Sequence, residues 1–403
     1  MMAIQKIIAG VLVVPVLAGS AFAGGLGVGE QNAVSSGTGG AGTARTDDPG
    51  AAWYAPAALA DGGGLRLGLS LALARPALEA RDASAMGSTW TAENERGWRT
   101  PPHLDASFAQ GNWAAGVSVG VPFGGGVRWP AAWAGASEIV SSELMVVRTA
   151  PFGAYRFGKL RVSAGVHIDA MRLQLQRGLD FIDADGDVRL DLDGRGYGID
   201  AAAYYQTTPE LGLALAFRSR SRIELAGNAN FTAPDAFAAK TPDQTASATM
   251  TMPDVLVLGA HWRRGNVAAV ADLEYANWSV NEKTEIDFAN ESTPNAIQRN
   301  DWHDTVAVRA GAEYVESGFT TRAGGYIDPS PVPQDRLAPS SPDATRVGLT
   351  VGASYQFAKA WSADVFAEHM WLLRRETTSA ETMAASYGGT AIILGAGVRF
   401  APR

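Results

Sequence analysis

Six short turns punctuate this chain, at Gly111-Asn112, Gly158-Lys159, Pro209-Glu210, Gly265-Asn266, Ser317-Gly318 and Ala358-Lys359. Between them, every second connection is long and polar or glycine-rich. Each short turn is flanked by stretches in which apolar side chains alternate with small or polar ones. In one such stretch Leu160, Val162, Ala164, Val166, Ile168 and Ala170 alternate with Arg161, Ser163, Gly165, His167 and Asp169. Val347, Leu349, Val351, Ala353, Tyr355 and Phe357 do the same against Arg346, Gly348, Thr350, Gly352, Ser354 and Gln356. A period of two gives a strand one apolar and one polar face. Short turns at one end and long loops at the other are the layout of an up-and-down barrel across a membrane.

A soluble sandwich would share that period, so length, charge and aromatic placement must decide. The segments run to about 10–14 residues, as tilted spanning strands need, against about 5–6 for soluble strands. Their polar faces carry charges in mid-strand, among them Asp169, Arg218, Asp272, Glu274, Arg309, Glu313, Arg322, Asp364 and Glu368. Aromatics gather near segment ends, where interfacial girdles belong, as at Trp113, Tyr155, Phe157, Tyr204, Tyr205, Trp262 and Trp361. Fourteen segments are predicted between 64 and 400, with the third at 112–122 and the eighth at 245–263. Pro253 predicts a bulge or break in the eighth. The expected fold is therefore all-β: a 14-stranded antiparallel transmembrane barrel, residues 63–403, with Gly24 to Asp61 enclosed by its walls.

That N-terminal stretch (24–62) is rich in Gly and Ala and lacks a sustained period, apart from one helical turn predicted near Pro56. Before it, Lys6, the apolar run Ile7 to Leu17 and Ala21-Phe22-Ala23 form the pattern of a secretory signal over 1–23, cleaved near Ala23. The net charge of −8 argues against nucleic acid, and the lack of cysteine removes disulfide and thiolate chemistry. Asp183-Ala184-Asp185-Gly186-Asp187 has the alternating acids of a calcium loop. Its twelfth position is Gly194 instead of Glu, so it reads as a solvated acidic loop. The five histidines show no paired metal spacing, and His167 with Asp169 on one face is expected to have a structural or hatch-locking role. No enzyme, cofactor or metal is expected.

Several patches in order resemble the FadL family of outer-membrane transporters for long-chain fatty acids and hydrocarbons. They include Gly40-Ala41-Gly42 through Asp47-Asp48-Pro49 to Ala55-Pro56-Ala57-Ala58-Leu59, and Asn112-Trp113-Ala114-Ala115-Gly116 with Pro122-Phe123-Gly124. Asp272-Leu273-Glu274-Tyr275-Ala276-Asn277-Trp278-Ser279, Trp302-His303-Asp304-Thr305 and Arg322-Ala323-Gly324-Gly325-Tyr326 continue the likeness. Two departures stand out. Ala55 replaces the asparagine of the family's usual Asn-Pro-Ala, and Ala401-Pro402-Arg403 follow the terminal aromatic Phe400.

The resemblance implies a hatch-plugged barrel in the outer membrane that passes hydrophobic molecules such as fatty acids into the outer-membrane lipid. Arg45, Asp47, Asp48, Pro49 and Pro56 would belong to the hatch, with its charges bonded to inward strand residues. An outer catch site would lie between loops at Gln176–Leu192 and Gly227–Gln244, using Leu179, Phe181, Ile182, Phe231 and Phe237. A lateral exit would open at Pro122, Phe123, Gly124, Gly125 and Gly126, residues expected to end the third strand because they hold a ladder poorly. The competing reading is a non-transport barrel, either a membrane-embedded lipid hydrolase or a structural barrel.

Overall fold

The computed structural model describes residues 25–61, 63–84, 90–180, 185–237 and 241–402. The signal-like segment, its cleavage point and the catch-site residues Phe181 and Ile182 lie outside the described residues. Fourteen antiparallel strands form a closed ring, each paired with its sequence neighbours. The ring is sealed by sixteen consecutive pairs between the first strand (Gly64–Asp82) and the fourteenth (Ala385–Phe400), from Leu67↔Phe400 to Asp82↔Ala385. Closure joins the first and last strands into one continuous wall.

The short turns carry the predicted chemistry. Gly111, Gly158 and Gly265 have φ of 63°, 62° and 58°, the left-handed values that a two-residue hairpin turn asks of its first central residue. Ser317 and Gly318 both have positive φ. Two turns sit differently from expectation. The connection near Pro209 spans four residues, 207–210, and the strand Arg346–Ala358 carries on so that the turn falls at Lys359-Ala360.

The seventh strand comprises Leu211–Arg218 and Ser221–Thr232, and the eighth Gln244–Met252 and Val255–Arg264. The break in the eighth falls at Pro253, as its missing donor demands. The loop after Ala276 folds into a small hairpin, Lys283–Phe288 with Ala296–Arg299, that pairs with Ala246–Ala248 of the eighth strand.

The largest departure is strand length. The fifth strand runs Leu160–Asp180 and the sixth Asp185–Gln206, and at about 3.3 Å per residue each reaches ~70 Å, about twice what a tilted spanning strand needs. Residues expected as loops at 176–180, 185–192 and 227–232 are therefore strand. The side-chain pattern shows where these strands leave lipid. Along the fifth, the inward residues change from Arg161, Ser163, His167 and Asp169 to Met171 and Leu173, all buried. On the sixth, outward Tyr197 and Ile199 (66% and 59% exposed) give way to Arg195, Asp193 and Asp191. Below this level the outer face meets hydrocarbon. Above it the outer face is charged and the apolar residues turn inward, as a wall standing in water requires.

The girdle expectation holds for Trp113, Phe157, Tyr205, Trp262 and Trp361, which are exposed near the short turns. Tyr204 is the exception. It points inward at 2% exposure and donates from its hydroxyl to Gln206 Oε1 (2.8 Å).

Candidate functional site

Residues 25–61 are packed inside the ring, with contacts to strands on opposite sides. Ala33–Ser36 touches the twelfth (Arg346–Ala358), thirteenth (Trp361–Glu376), fourteenth and first strands, whereas Pro56–Asp61 touches the second (Pro102–Gln110) to sixth. The predicted turn at Pro56 is this second element, and Ala51–Tyr54 supplies a further helical turn. Small residues allow the close approach: Ala51, Ala52, Ala57, Ala58 and Leu59 pack on Ala109, Ala114, Ala154, Ala202, Ala214 and Ala216.

Arg45 is 1% exposed, and its Nη2 lies 2.8 Å from Glu313 Oε1, which also accepts from Arg322 Nε at 2.6 Å. Burial opposes the guanidinium's charge, but Glu313 beside it holds its pKa above the ordinary value. Asp47 pairs with Arg263 at 2.8 Å in a half-exposed contact, of a kind that contributes about 0–1 kcal/mol. Asp272 accepts from the Gly42 and Thr43 N–H groups (2.9 and 3.0 Å) and from Thr43 Oγ1 (2.8 Å).

Asp48, expected to reach the wall, instead stays within its own segment. It accepts from Asn32 Nδ2 (2.8 Å) and the Gly50 N–H (3.1 Å), and burial pushes its carboxyl above the usual range. Pro49 lies against Gly68 of the first strand. Removing a buried ion partner costs about 3–5 kcal/mol, so Arg45→Ala should undock the segment. The expected result is faster proteolysis within residues 25–61 in the assembled barrel, and an unchanged cleavage rate would contradict it.

The third strand runs Trp113–Arg128, so Pro122 to Gly126 do not end it. One extra residue between Gly120 and Phe123 forms a bulge, and Phe123 to Arg128 remain paired with Val146 to Ser141 of the fourth strand (Ser141–Phe157). The bulge tolerates proline because no ladder donor is needed there. The other edge differs. Pairing with the second strand stops at Leu104↔Val119, and among the described residues no ladder joins it to 96–101 beyond that point. Residues Leu26 to Val28 meet this edge from inside, through Val28 N–H to the Pro122 carbonyl (2.9 Å) and Gly124 N–H to the Leu26 carbonyl (2.7 Å).

Directly beyond the bulge, a cavity of about 140 Å³ adjoins Gly125, Gly126 and Leu26. Its apolar lining is Leu78, Leu144, Leu173, Leu175, Met250 and Trp302. Trp302 stands 5.2 Å from Trp278, and Trp278 stands 5.7 Å from Phe123, so a chain of rings links the cavity to the bulge. Sequence reasoning missed these cavity residues by assigning the interior to charge throughout. The signal was present, because Met171, Leu173 and Leu175 continue the parity of His167 and Asp169.

Leu179, Phe231 and Phe237 are the expected catch-site residues that lie among the described residues. Leu179 lies one residue before the end of the fifth strand, opposite Gly186. Phe231 lies on the seventh strand opposite Val188, with its ring 5.7 Å from Phe288 of the loop hairpin. Phe237 lies in a turn at 38% exposure. Of the acidic run, Asp187 pairs with Arg189 at 3.2 Å, and Asp183 lies outside the described residues.

The family model described as "Outer membrane protein transport protein (OMPP1/FadL/TodX)" matches residues 14–401. The long-chain fatty acid transport protein of Salmonella typhi is 28% identical over 187 residues, 43% of this chain and 42% of that protein. Outer membrane protein P1 of Haemophilus influenzae is 27% identical over 173 residues, 42% of this chain and 37% of its own length. The chain thus spans less than half the length of the curated relatives it matches. Among solved structures, a FadL homologue of Pseudomonas aeruginosa has a TM-score of 0.83 at 18% identity, covering 94% of this chain and 100% of that one. The Pseudomonas putida toluene transporter TodX gives 0.75 at 17%, covering 92% and 98%. At these identities the likeness is one of fold.

Proposed function

Because the chain belongs to the outer membrane protein transport family (OMPP1/FadL/TodX), we propose that it carries hydrophobic molecules passively across the outer membrane. One observation carries the proposal: a cavity with a partly apolar lining in the outer half of the lumen abuts the third strand, whose edge beyond Val119 has no ladder to the second strand among the described residues. An apolar molecule gains by entering such a lining from water, and a side opening lets it leave into hydrocarbon without crossing the polar plug below. Residues 25–61 act as the hatch in this reading, and Pro122 to Gly126 form the lateral exit. Leu179, Phe231 and Phe237, with Phe181 and Ile182, form the first contact at the outer rim. The description of the family as transport proteins supports this role over the hydrolase or structural-barrel alternative.

The test places charge in the cavity. Leu173→Asp with Met250→Asp should leave assembly intact, because both side chains face the lumen and not lipid. A buried unpaired carboxylate costs several kcal/mol against an apolar ligand, so uptake of labelled toluene and oleate should fall at least about tenfold. Full uptake of both by the double variant would remove the cavity from the route.

A further inference from the structure

Part of the cavity lining is built from two amides held at the base of the loop hairpin. Asn281 caps the short turn Trp278–Val280, with its N–H bonded to the Trp278 carbonyl (2.9 Å). Asn300 follows Ala296–Arg299, with its N–H on the Glu282 carbonyl (2.8 Å). Both line the cavity and are buried, at 4% and 6% exposure. Asn300 Nδ2 donates to Asn281 Oδ1 (2.9 Å) and to Thr284 Oγ1 (3.0 Å). Those bonds use the N–H groups of one amide and the carbonyl of the other. Asn281 Nδ2 and Asn300 Oδ1 are left without a partner among the described residues. Neither atom is enclosed by protein, so each can bond to a guest of the cavity. Turning both amides over would exchange the roles of the two residues and still leave one free N–H group and one free carbonyl. The acid of the lining, Asp343, bonds to Ser330 Oγ, a hydroxyl that also accepts from Arg375 Nη1 (2.6 Å), so opposite charges stand one hydroxyl apart there.

We infer that Asn281 and Asn300 form a hydroxyl-recognising pair, which makes this cavity a site for small neutral molecules that carry one hydroxyl group, phenols and alcohols among them. The inference rests on reading the cavity as the transport site and names the ligand chemistry that site takes. A hydroxyl has a donor and an acceptor on one atom, which matches the free carbonyl and the free N–H group. The apolar body of such a guest meets the leucines, Met250 and Trp302 of the same cavity. A hydrocarbon of equal shape displaces water from the pair and leaves both amide atoms unbonded, which costs affinity. A site built to bond a hydroxyl rejects the analogue without one for that reason. An ether can accept from Asn281 but gives the Asn300 carbonyl nothing. At about 140 Å³ the cavity suits a compact guest, since an apolar cavity of about 150 Å³ takes up benzene.

The experiment titrates the full-length purified barrel in detergent with phenol, anisole and toluene at neutral pH, each also titrated into empty micelles as a blank. Phenol should bind more tightly than anisole, reversing the order that apolarity alone would set. Asn281→Leu with Asn300→Leu removes both amides and should weaken phenol at least about tenfold through the lost hydrogen bonds, while toluene binds as before or more tightly. Should that variant fail to assemble, the order of phenol and anisole in the unaltered barrel decides alone. Anisole bound as tightly as phenol or tighter, or a variant that keeps its phenol affinity or loses phenol and toluene alike, would overturn hydroxyl recognition while leaving the transport site standing. Binding of none of the three would overturn the cavity as a ligand site and the recognition with it.

Discussion

Deletion of Pro122 is expected to close the wall and to cut uptake of a hydrophobic substrate by at least about tenfold, the effect of ~1.4 kcal/mol added to the barrier for exit. The barrel should still assemble. The argument is one of register. Up to Gly120 the third strand pairs with the fourth in one register, and from Phe123 it continues with a single residue to spare. That spare residue switches the inward set from Ser118 to Val121, Phe123 and Val127, all buried. Removing one residue restores a continuous ladder, keeps Phe123 and Val127 facing inward and turns only Val121 outward, an apolar side chain that the outer face accepts. A straight third strand would then run beside residues 96–101 and supply the edge that is now missing.

The control is Pro122→Ala, which keeps the bulge and its chain length. It should retain uptake if the bulge, and not the proline ring, makes the opening. Transport at the full rate by the deletion variant would rule out exit through this part of the wall.

How much of this was legible in the sequence depends on what period two can encode. It tells which residues share a face, and the turn glycines tell where the chain reverses. Strand number, closure and the short-turn end therefore followed from residues such as Gly111, Gly158 and Gly265. Period two does not tell what each face meets. Along Leu160–Asp180 one face passes from hydrocarbon to water while the other passes from a polar plug to an apolar cavity. Uniform assignment of charge to the interior failed at Met171 for that reason.

The third strand failed differently. Pro122 and the glycines after it are poor ladder formers in isolation, yet one intact neighbour, the fourth strand, keeps them extended. Asp48 and Tyr204 were misplaced because a single polar or aromatic residue carries no periodic signal. Their partners, Asn32 and Gln206, become visible only once the chain is folded.

Gly324→Leu should expel residues 25–61 from their seat more effectively than any single charge removal. Gly324 faces the lumen on the eleventh strand (Phe319–Asp328), paired with Gly311 of the tenth (Thr305–Glu316). A Cβ there would fall inside van der Waals contact of the Thr38 carbonyl carbon, and within 2.6 and 2.7 Å of Gly39 N and Thr38 Cα. All three are backbone atoms, so no side-chain rotation relieves the overlap. A Cβ on Gly39 would lie 2.6 Å from the Gly325 carbonyl oxygen and one on Gly352 2.9 Å from Gly37 Cα, and Gly39 donates to Thr350 Oγ1 at 2.9 Å. The segment must therefore move as a unit, which ordinarily costs about 1–3 kcal/mol for a few added methylenes and more where only backbone yields.

The expected results are rapid protease cleavage within residues 25–61, larger single-channel conductance in planar bilayers, and normal barrel assembly, since the ladder bonds of the eleventh strand are untouched. Ala323→Leu, one residue away on the exposed outer face, adds the same side chain toward lipid and should change none of these. A seated, protease-resistant segment in Gly324→Leu would mean that the tight backbone contact is not what locks the plug.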